Sequence, residues 1–375
     1  VDHKIRVLQI GTEMTWRGGE NQVRYLMQGL AREGYECHLA YPKNSLAIER
    51  MAGSPEFPQL VLPSRKAWDP RSVHRLTRYC KSNAIELIDA HSSGGHALAL
   101  KVKRRLPKIK VIVHRRVDNV PADNMFTRAK YFDSRVDRFV AISDAIRRVL
   151  EDYGVPPKKI SVVRSATDGS RFQSSDRGSI RQSWLKKLNL LSDTVLIGNA
   201  SALTAQKGYE VLIASLPRIK DAGLPFHCII AGDGKLRESL ESQVHTLGLK
   251  SHVTFLGFIE DVDSLLLGLD ILCVPSNNEG LGTIILDGIL AGCAIVATAV
   301  GGIPEIVHHG RTGLISPKGD VMAFSRNLAT AIGSEGLRAS LVRGGQAHVE
   351  SEFSLNAMVQ GNLRIYSHLL GTQCP

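Results

Sequence analysis

Residues 275–305 read PSNNEGLGTIILD (275–287), GILAGCAIVAT (288–298) and AVGGIPE (299–305). An apolar run at 271–274 leads into a tight turn that gathers Glu279, Gly280, Gly282 and Thr283. A helical run follows, with Asp287 eight residues after Glu279, and a second apolar run at 294–298 leads to Gly301 and Gly302. A strand that ends in glycines and opens a helix presents free backbone N–H groups at its tip. Those groups favour an anion, typically phosphate. A carboxylate beside phosphate repels it unless the carboxylate binds something else, and sugar or ribose hydroxyls meet that need. The pattern points to a nucleotide-sugar site on an α/β scaffold.

Outward from this stretch, strand and helix signals alternate along the chain. Short apolar runs at 5–10, 38–41, 85–90, 110–114, 138–142 and 160–163 read as strands. Helical spacing appears at 21–33 (Val23, Leu26, Met27, Leu30, closed by Gly34), at 96–106 and at 144–153 behind Ser143. The alternation restarts at 195–200, 227–231, 253–256, 271–274, 294–298 and 313–315. Such spacing argues for parallel, doubly wound sheets. The Ser-, Arg- and Gln-rich stretch 168–186 reads as the boundary, and 375 residues suit two domains. Two such sheets imply a cleft at the carboxyl ends of their strands.

Composition narrows the classes. No apolar run approaches the roughly 20 residues needed to cross a bilayer, and no signal peptide is expected at the first residues. The six cysteines are scattered without a CxxC pair; Cys228, Cys273 and Cys293 sit in apolar runs and read as reduced core thiols. Net charge is +11. Residues 1–180 carry 32 Lys and Arg against 19 Asp and Glu (+13), and residues 181–375 carry 15 against 17 (−2). The excess centres on 101–116, which holds Lys101, Lys103, Arg104, Arg105, Lys108, Lys110, Arg115 and Arg116 and no acid. A basic first half fits an anionic acceptor or anionic lipid headgroups, or a solvated basic face. Nucleic acid fits poorly, for no aromatics are interleaved for base stacking.

Several motifs recur in one order: RGGE (17–20), AISDAIR (141–147), LTAQKG (203–208), AGDG (231–234), LGF (256–258), the Glu279 turn and GGIPE (301–305). Together they resemble the retaining glycosyltransferases of the GT-B fold, family 4 (group 1), over nearly the whole chain. The resemblance implies two Rossmann-like doubly wound domains facing a central cleft. Residues 1–180 would form an acceptor-binding domain, with a C-terminal helix at 356–375 crossing back to it; residues 181–355 would form the donor-binding domain.

The resemblance also distributes roles. Glu279 would take donor-sugar hydroxyls, and Asp287, where the family commonly has Glu, would hold the ribose. Gly280, Leu281, Gly282 and Thr283 would offer N–H groups to the distal phosphate. Lys207, in a turn before a helix, is placed to put an ammonium on the diphosphate. The family's arginine five residues earlier is replaced by Ala202. Gly18 and Gly19 would let backbone N–H groups approach the same phosphates. His91, behind the strand at 85–90, would hydrogen-bond the donor sugar near its reactive carbon, with His96 as the competing candidate. Arg115 and Arg116 read as acceptor or phosphate contacts, with Asp118 as their orienting partner; a local ion pair is the other reading.

No metal-ligand pattern stands out. Asp261 and Asp263 read as acids at a helix N-terminus. No metal and no cofactor are expected beyond a nucleotide-diphosphate sugar as co-substrate. The implied reaction is metal-independent, retaining, front-face transfer in which the leaving phosphate takes the acceptor proton. The expected acceptor is a bacterial surface-glycan precursor, a lipopolysaccharide core or lipid-linked oligosaccharide. The expected location is the cytoplasm, peripheral on the inner face of the plasma membrane through the basic half. A nucleotide-sugar epimerase or phosphorylase on the same fold, or a non-catalytic nucleotide-sugar binder, are the alternatives.

Overall fold

The computed structural model describes residues 4–16, 18–51, 56–173 and 176–372. The chain divides into two compact units: residues 1–166 with 355–375, and residues 167–354.

Among the described residues the first unit holds seven strands: β1 (Arg6–Ile10), β2 (Glu36–Pro42), β3 (Gln59–Leu62), β4 (Leu87–Ala90), β5 (Lys110–Arg115), β6 (Arg138–Ala141) and β7 (Ile160–Val162). They form one sheet in the order β3-β2-β1-β4-β5-β6-β7, with every pair parallel. Parallel strands covered on both faces must be apolar on both faces; Leu87, Ile88 and Ala90 are accordingly fully buried. The strand order reverses direction between β1 and β4, which makes that junction the switch point of the sheet. The helix Leu355–Leu370 packs on the helix Gly18–Arg32 within this unit. Gly29 is needed there, because a Cβ would stand 2.1 Å from Val359 Cγ2.

The second unit repeats the pattern with β8 (Val195–Ala200), β9 (Phe226–Ala231), β10 (Val253–Gly257), β11 (Ile271–Val274), β12 (Ala294–Thr298) and β13 (Leu314–Ser316). Their order is β10-β9-β8-β11-β12-β13, all parallel, with the switch point between β8 and β11. Its core runs from Ile197 and Leu212 through Cys273 to Phe324.

The boundary expected at residue 180 is displaced to Ala166/Thr167. The reason lies in the helix Arg177–Lys187, which belongs wholly to the second unit. Arg177 Nη2 donates to Leu269 O at 2.7 Å, Arg181 Nε meets Asp270 Oδ1 at 2.9 Å, and the Trp184 ring leaves no room for a Cβ at Gly268. Among the elements not anticipated are the edge strand β3, the short helices Leu46–Met51 and Met125–Tyr131, and the helix Pro70–Ser82. This last helix did carry a start signal: Asp69 caps it, accepting from Arg71 N at 3.0 Å, and Pro70 opens it.

Candidate functional site

In the second unit the chemistry-bearing residues collect behind the carboxyl ends of β8, β11 and β12, at the switch point. The 3-10 turn Ala205–Lys207 after β8 is laced to the turn after β11. Asn277 N donates to Gln206 O at 2.8 Å, Asn277 Nδ2 to Ala205 O at 2.8 Å, and Gln206 Nε2 to Asn278 O at 3.1 Å. Two glycines make this closeness possible. Gly208 has φ +62°, and a Cβ on it would lie 2.1 Å from Pro275 O. Gly301 has φ +51°, and its Cβ would lie 1.6 Å from Glu279 O.

The lacing brings Lys207 and Glu279 into direct contact: the ammonium donates to Glu279 Oε1. Ser276 Oγ donates to the same oxygen at 3.1 Å. Glu279 is buried, at 7% exposure, and these partners offset the loss of water around its carboxylate. Beside the pair, the helices Tyr209–Asp221 and Thr283–Leu290 start at Gly208 and Gly282, and neither start has a side-chain cap. Their first-turn N–H groups carry the positive ends of the helix dipoles toward one small region. Gly280, Leu281 and Gly282 are buried there, and Thr283 is half-buried. The arrangement can hold a polyanion with one ammonium and two helix N-termini while offering a carboxylate to hydroxyls.

Asp287, expected to hold the ribose, is engaged by side chains of its own unit. Its carboxylate accepts from Thr167 Oγ1 and lies 3.5 Å from Arg171 Nη1, and burial raises its pKa despite that arginine. Arg171 is held in turn by Asp263, while Asp261 caps its helix by accepting from Ser264 N at 2.9 Å. Ala202, in place of the family's arginine, is exposed.

In the first unit the residues again flank the switch point. His91 follows β4, and its N–H donates to Ile10 O at 2.9 Å. Ser92 Oγ accepts from Thr12 N and from Gly95 N, both at 3.0 Å, so it ties the end of β1 to the helix Ser93–Arg105 while capping it. Gly95 permits the approach, for a Cβ would sit 2.8 Å from Ile10 O.

The His91 ring stacks on His114, with centroids 4.5 Å apart. Its Nε2 lies 2.5 Å from Gln9 Oε1 and its Nδ1 3.2 Å from Arg116 Nη2. Burial, His114 and Arg116 together push its pKa well below the usual range. Burial also lowers the Arg116 guanidinium to about 10, with Tyr41, Glu20 and Asp89 opposing. Arg116 Cδ comes within 3.8 Å of where a Gly19 Cβ would be, which sets it beside the start of the helix Gly18–Arg32. Arg17 of the RGGE motif lies outside the described residues.

Three sequence expectations change here. His96 is a core residue, 1% exposed and edge-on to Tyr131 and Phe139; burial lowers its pKa to about 3. Helical geometry turns it away from His91, five residues earlier. Arg115 and Arg116 point apart, as neighbours at a strand end do. Arg115 donates to Tyr131 Oη at 2.8 Å and to Asn119 O, while Arg116 faces His91; Asp118 is half-buried in the same loop.

The basic cluster also splits. The helix Ser93–Arg105 spans about 20 Å, so Lys101 to Arg105 lie toward the amino ends of the strands, while Arg115 and Arg116 lie at the carboxyl end of β5. Lys103 is buried in an ion pair with Asp137. Lys101, Arg104 and Arg105 line a groove of about 480 Å³ with Trp68, whose ring is 70% exposed and lies under Lys66 Nζ at 5.1 Å.

Sequence reasoning missed Gln9, Asp89 and Tyr366, which stand behind His91. Gln9 Nε2 donates to Asp89 Oδ2 at 3.2 Å, and Tyr366 Oη donates to the same oxygen. The signal was present, since Gln9 and Asp89 are polar residues among the apolar residues 7–10 of β1 and 87–90 of β4. No metal was expected from sequence. Among the described residues Asp89, His91 and His114 bring potential ligand atoms within 4.8 Å of one another. No helix among them is long and apolar enough to cross a membrane.

Comparison with known proteins agrees with the fold. The family model for Glycosyl transferases group 1 matches residues 180–348, and that for Glycosyltransferase Family 4 matches residues 16–171. An uncharacterized glycosyltransferase of Methanocaldococcus jannaschii is 27% identical over 60% of this chain and 59% of its own length. The lipopolysaccharide core biosynthesis glycosyltransferase LpsE of Rhizobium meliloti is 26% identical over 64% of this chain and 66% of its own. The matched stretch thus spans about three fifths of these relatives. A glycosyltransferase structure from Rickettsia africae superposes with a TM-score of 0.86 at 20% identity, covering 99% of this chain and 100% of that one. HepE from Anabaena, in complex with UDP and glucose, gives 0.82 at 18% identity, covering 97% and 100%.

Proposed function

Because this chain belongs to the group 1 glycosyltransferases and has the GT-B fold, we propose that it moves a sugar, with retention, from a nucleotide-diphosphate donor to a bacterial surface-glycan acceptor. The observation that carries the donor assignment is the Lys207–Glu279 pair set between two uncapped helix N-termini. As the bond from the sugar anomeric carbon to phosphate oxygen breaks, charge builds on the diphosphate. Lys207 and the N–H groups from Gly280 to Thr283 stabilise it. Glu279 holds donor-sugar hydroxyls, and Asp287 is the proposed ribose contact, reached by releasing Thr167 or through water. Gly18 and Gly19 add backbone donors to phosphate, and His91 contacts the sugar. The acceptor oxygen attacks the same face that the phosphate leaves, and the leaving phosphate takes the acceptor proton. The nucleotide sugar is the sole co-substrate in this scheme, which uses no metal. HepE structures with UDP and with UDP-glucose make UDP the first nucleotide to test.

For the acceptor, we favour a lipid-linked saccharide or lipopolysaccharide core. LpsE, and a WaaG structure (TM-score 0.69, 14% identity) described as involved in lipopolysaccharide biosynthesis, support this class. So does the surface past β5, where Arg115, Arg116 and Asp118 adjoin Val117, Val120, Met125 and Phe126, exposed by 51% to 81%. A sugar on a lipid pyrophosphate or phosphorylated lipid presents both chemistries. The Trp68 groove, with its lysines and arginines, fits an anionic bilayer and a peripheral position on the inner face of the plasma membrane.

Thermal shift with UDP, GDP and ADP and their sugar conjugates tests the donor site. One nucleotide should stabilise the wild type and lose its effect in Lys207→Ala. No shift from any of them in folded protein would sink the donor assignment. Exposed Ala202 and the occupied Asp287 favour the non-catalytic alternative. Tight nucleotide-sugar binding without turnover on lipid-linked acceptors would select it.

A further inference from the structure

Gln9 and Asp89 are cross-strand partners on β1 and β4, and both side chains are fully buried. A carboxyl oxygen that takes hydrogen bonds from two donors acts as an acceptor. Asp89 Oδ2 takes the Gln9 amide N–H at 3.2 Å and the Tyr366 hydroxyl; its Oδ1 stands 3.4 Å from His114 Nε2. The Gln9 amide must therefore turn its NH₂ to Asp89 and its oxygen to His91. That oxygen lies 2.5 Å from His91 Nε2. An amide oxygen cannot donate, so Nε2 carries the hydrogen. His91 Nδ1 is then a bare lone pair, and it faces the Arg116 Nη2 donor at 3.2 Å. Each link forces the next, from a buried carboxylate to a defined imidazole tautomer.

We propose that Asp89 and Gln9 are positioning residues that hold His91 as its neutral Nε2–H tautomer, presenting Nδ1 as an acceptor to Arg116 or to a ligand hydroxyl that displaces it. The consequence for His91 as a sugar contact, which rests on the function proposed above, is that it accepts a hydrogen bond and does not donate a proton. The charged and titratable groups around the ring are Arg116, His114 and, through Gln9, Asp89, with Glu20 and Tyr41 beside Arg116. Asp89, His91 and His114 are also the three side chains that could gather round a metal ion. A metal would have to replace the hydrogen on His91 Nε2 or sit at Nδ1 against the Arg116 cation, and the relay opposes both.

The test is nitrogen NMR of the full chain labelled with ¹⁵N-histidine, with His91→Gln used to assign the His91 signals. The wild type should show one protonated Nε2 and one unprotonated Nδ1. Gln9→Met should lose that single pattern and give both tautomers. Asp89→Asn, of the same shape, frees the Gln9 amide to rotate and should do likewise, and it serves if Gln9→Met does not fold. Tyr366→Phe keeps the Gln9 link and should leave the pattern intact. Turnover by Gln9→Met should fall about tenfold in kcat with UDP affinity unchanged.

A protonated Nδ1 in the wild type, or an unchanged pattern in both Gln9→Met and Asp89→Asn, overturns the relay. So does joint displacement of the His91 and His114 signals by stoichiometric Zn²⁺. The NMR pattern needs neither donor nor acceptor. A wild type of the expected tautomer in which His91→Gln retains full activity would support the relay and remove only the sugar contact.

Discussion

Lys207 and Glu279 neutralise one another in the ligand-free chain, so they should respond in opposite directions when each is made neutral. Lys207→Met removes the ammonium and leaves the Glu279 carboxylate with Ser276 as its hydrogen-bond donor. A charged hydrogen bond to diphosphate is worth roughly 1.5–3 kcal/mol, so UDP should bind about 10- to 100-fold more weakly. The same change strands a carboxylate that is 7% exposed. A stranded buried charge costs about 3–5 kcal/mol, and the 22% exposure of the Lys207 side chain reduces this to roughly 1–3 kcal/mol. The ligand-free protein should therefore melt several degrees lower. Glu279→Gln has the opposite effect on the bare nucleotide. Lys207 no longer has to be shared with a carboxylate, and a gain of about 1 kcal/mol, about fivefold, is expected for UDP. The same variant should lose the affinity difference between UDP and a UDP-sugar. Isothermal titration of the three proteins with UDP and UDP-glucose reads the affinities, and thermal unfolding of the ligand-free proteins reads the change in stability. UDP affinity in Lys207→Met within twofold of wild type, at an unchanged melting temperature, would refute the reasoning.

Gly301→Ala places a Cβ 1.6 Å from Glu279 O at φ +51°, so the turn must move; a loss of at least about 2 kcal/mol is expected in urea unfolding, with weakened UDP binding. His96 is neutral in the folded chain, with its pKa lowered to about 3. The unfolded chain binds a proton below the ordinary value of about 6.5. The stability His96 contributes is thus present above about pH 6.5 and is lost as pH falls toward 3, by about 2 kcal/mol at pH 5. His96→Phe should be less sensitive than wild type when unfolding is compared at pH 7.5 and pH 5; equal sensitivity would contradict its burial as a neutral ring. Lys103→Gln breaks the buried pair with Asp137 and should lower stability by roughly 2–4 kcal/mol. The double change Arg104→Gln with Arg105→Gln should leave stability nearly unchanged and reduce sedimentation with anionic phosphatidylglycerol vesicles at low salt. Equal vesicle binding by the double variant and wild type would remove the groove from the membrane reading.

Local chemistry was legible in the sequence wherever it was set by a few adjacent residues. The Glu279 turn, the Gly208 and Gly301 breaks and the alternation of strand and helix all depend on backbone preferences that act within a turn or two. They yielded the fold class and most of the second unit's candidate residues by number. The boundary at 166 was hidden because Arg177, Arg181 and Trp184 look like linker residues until Leu269, Asp270 and Gly268 are known to lie beside them. Side-chain direction was hidden too. The run 101–116 is a single basic block in sequence, but a helix and a strand carry its parts to opposite ends of the sheet's strands and bury Lys103 on the way. His96 looked equivalent to His91 until the first turns of its helix rotated it into the aromatic core.

By itself, then, the sequence determined the parallel α/β architecture, the phosphate-ready turns and the acidic and basic residues nearest them. Tertiary structure decided which of those residues meet. Lys207 reaches Glu279 across 72 positions, and Tyr366 reaches Asp89 across 277. Both contacts follow from the register of parallel strands and the docking of helices on them. Register is a cooperative property of the packed sheet, since a shift of one residue would turn each side chain to the other face.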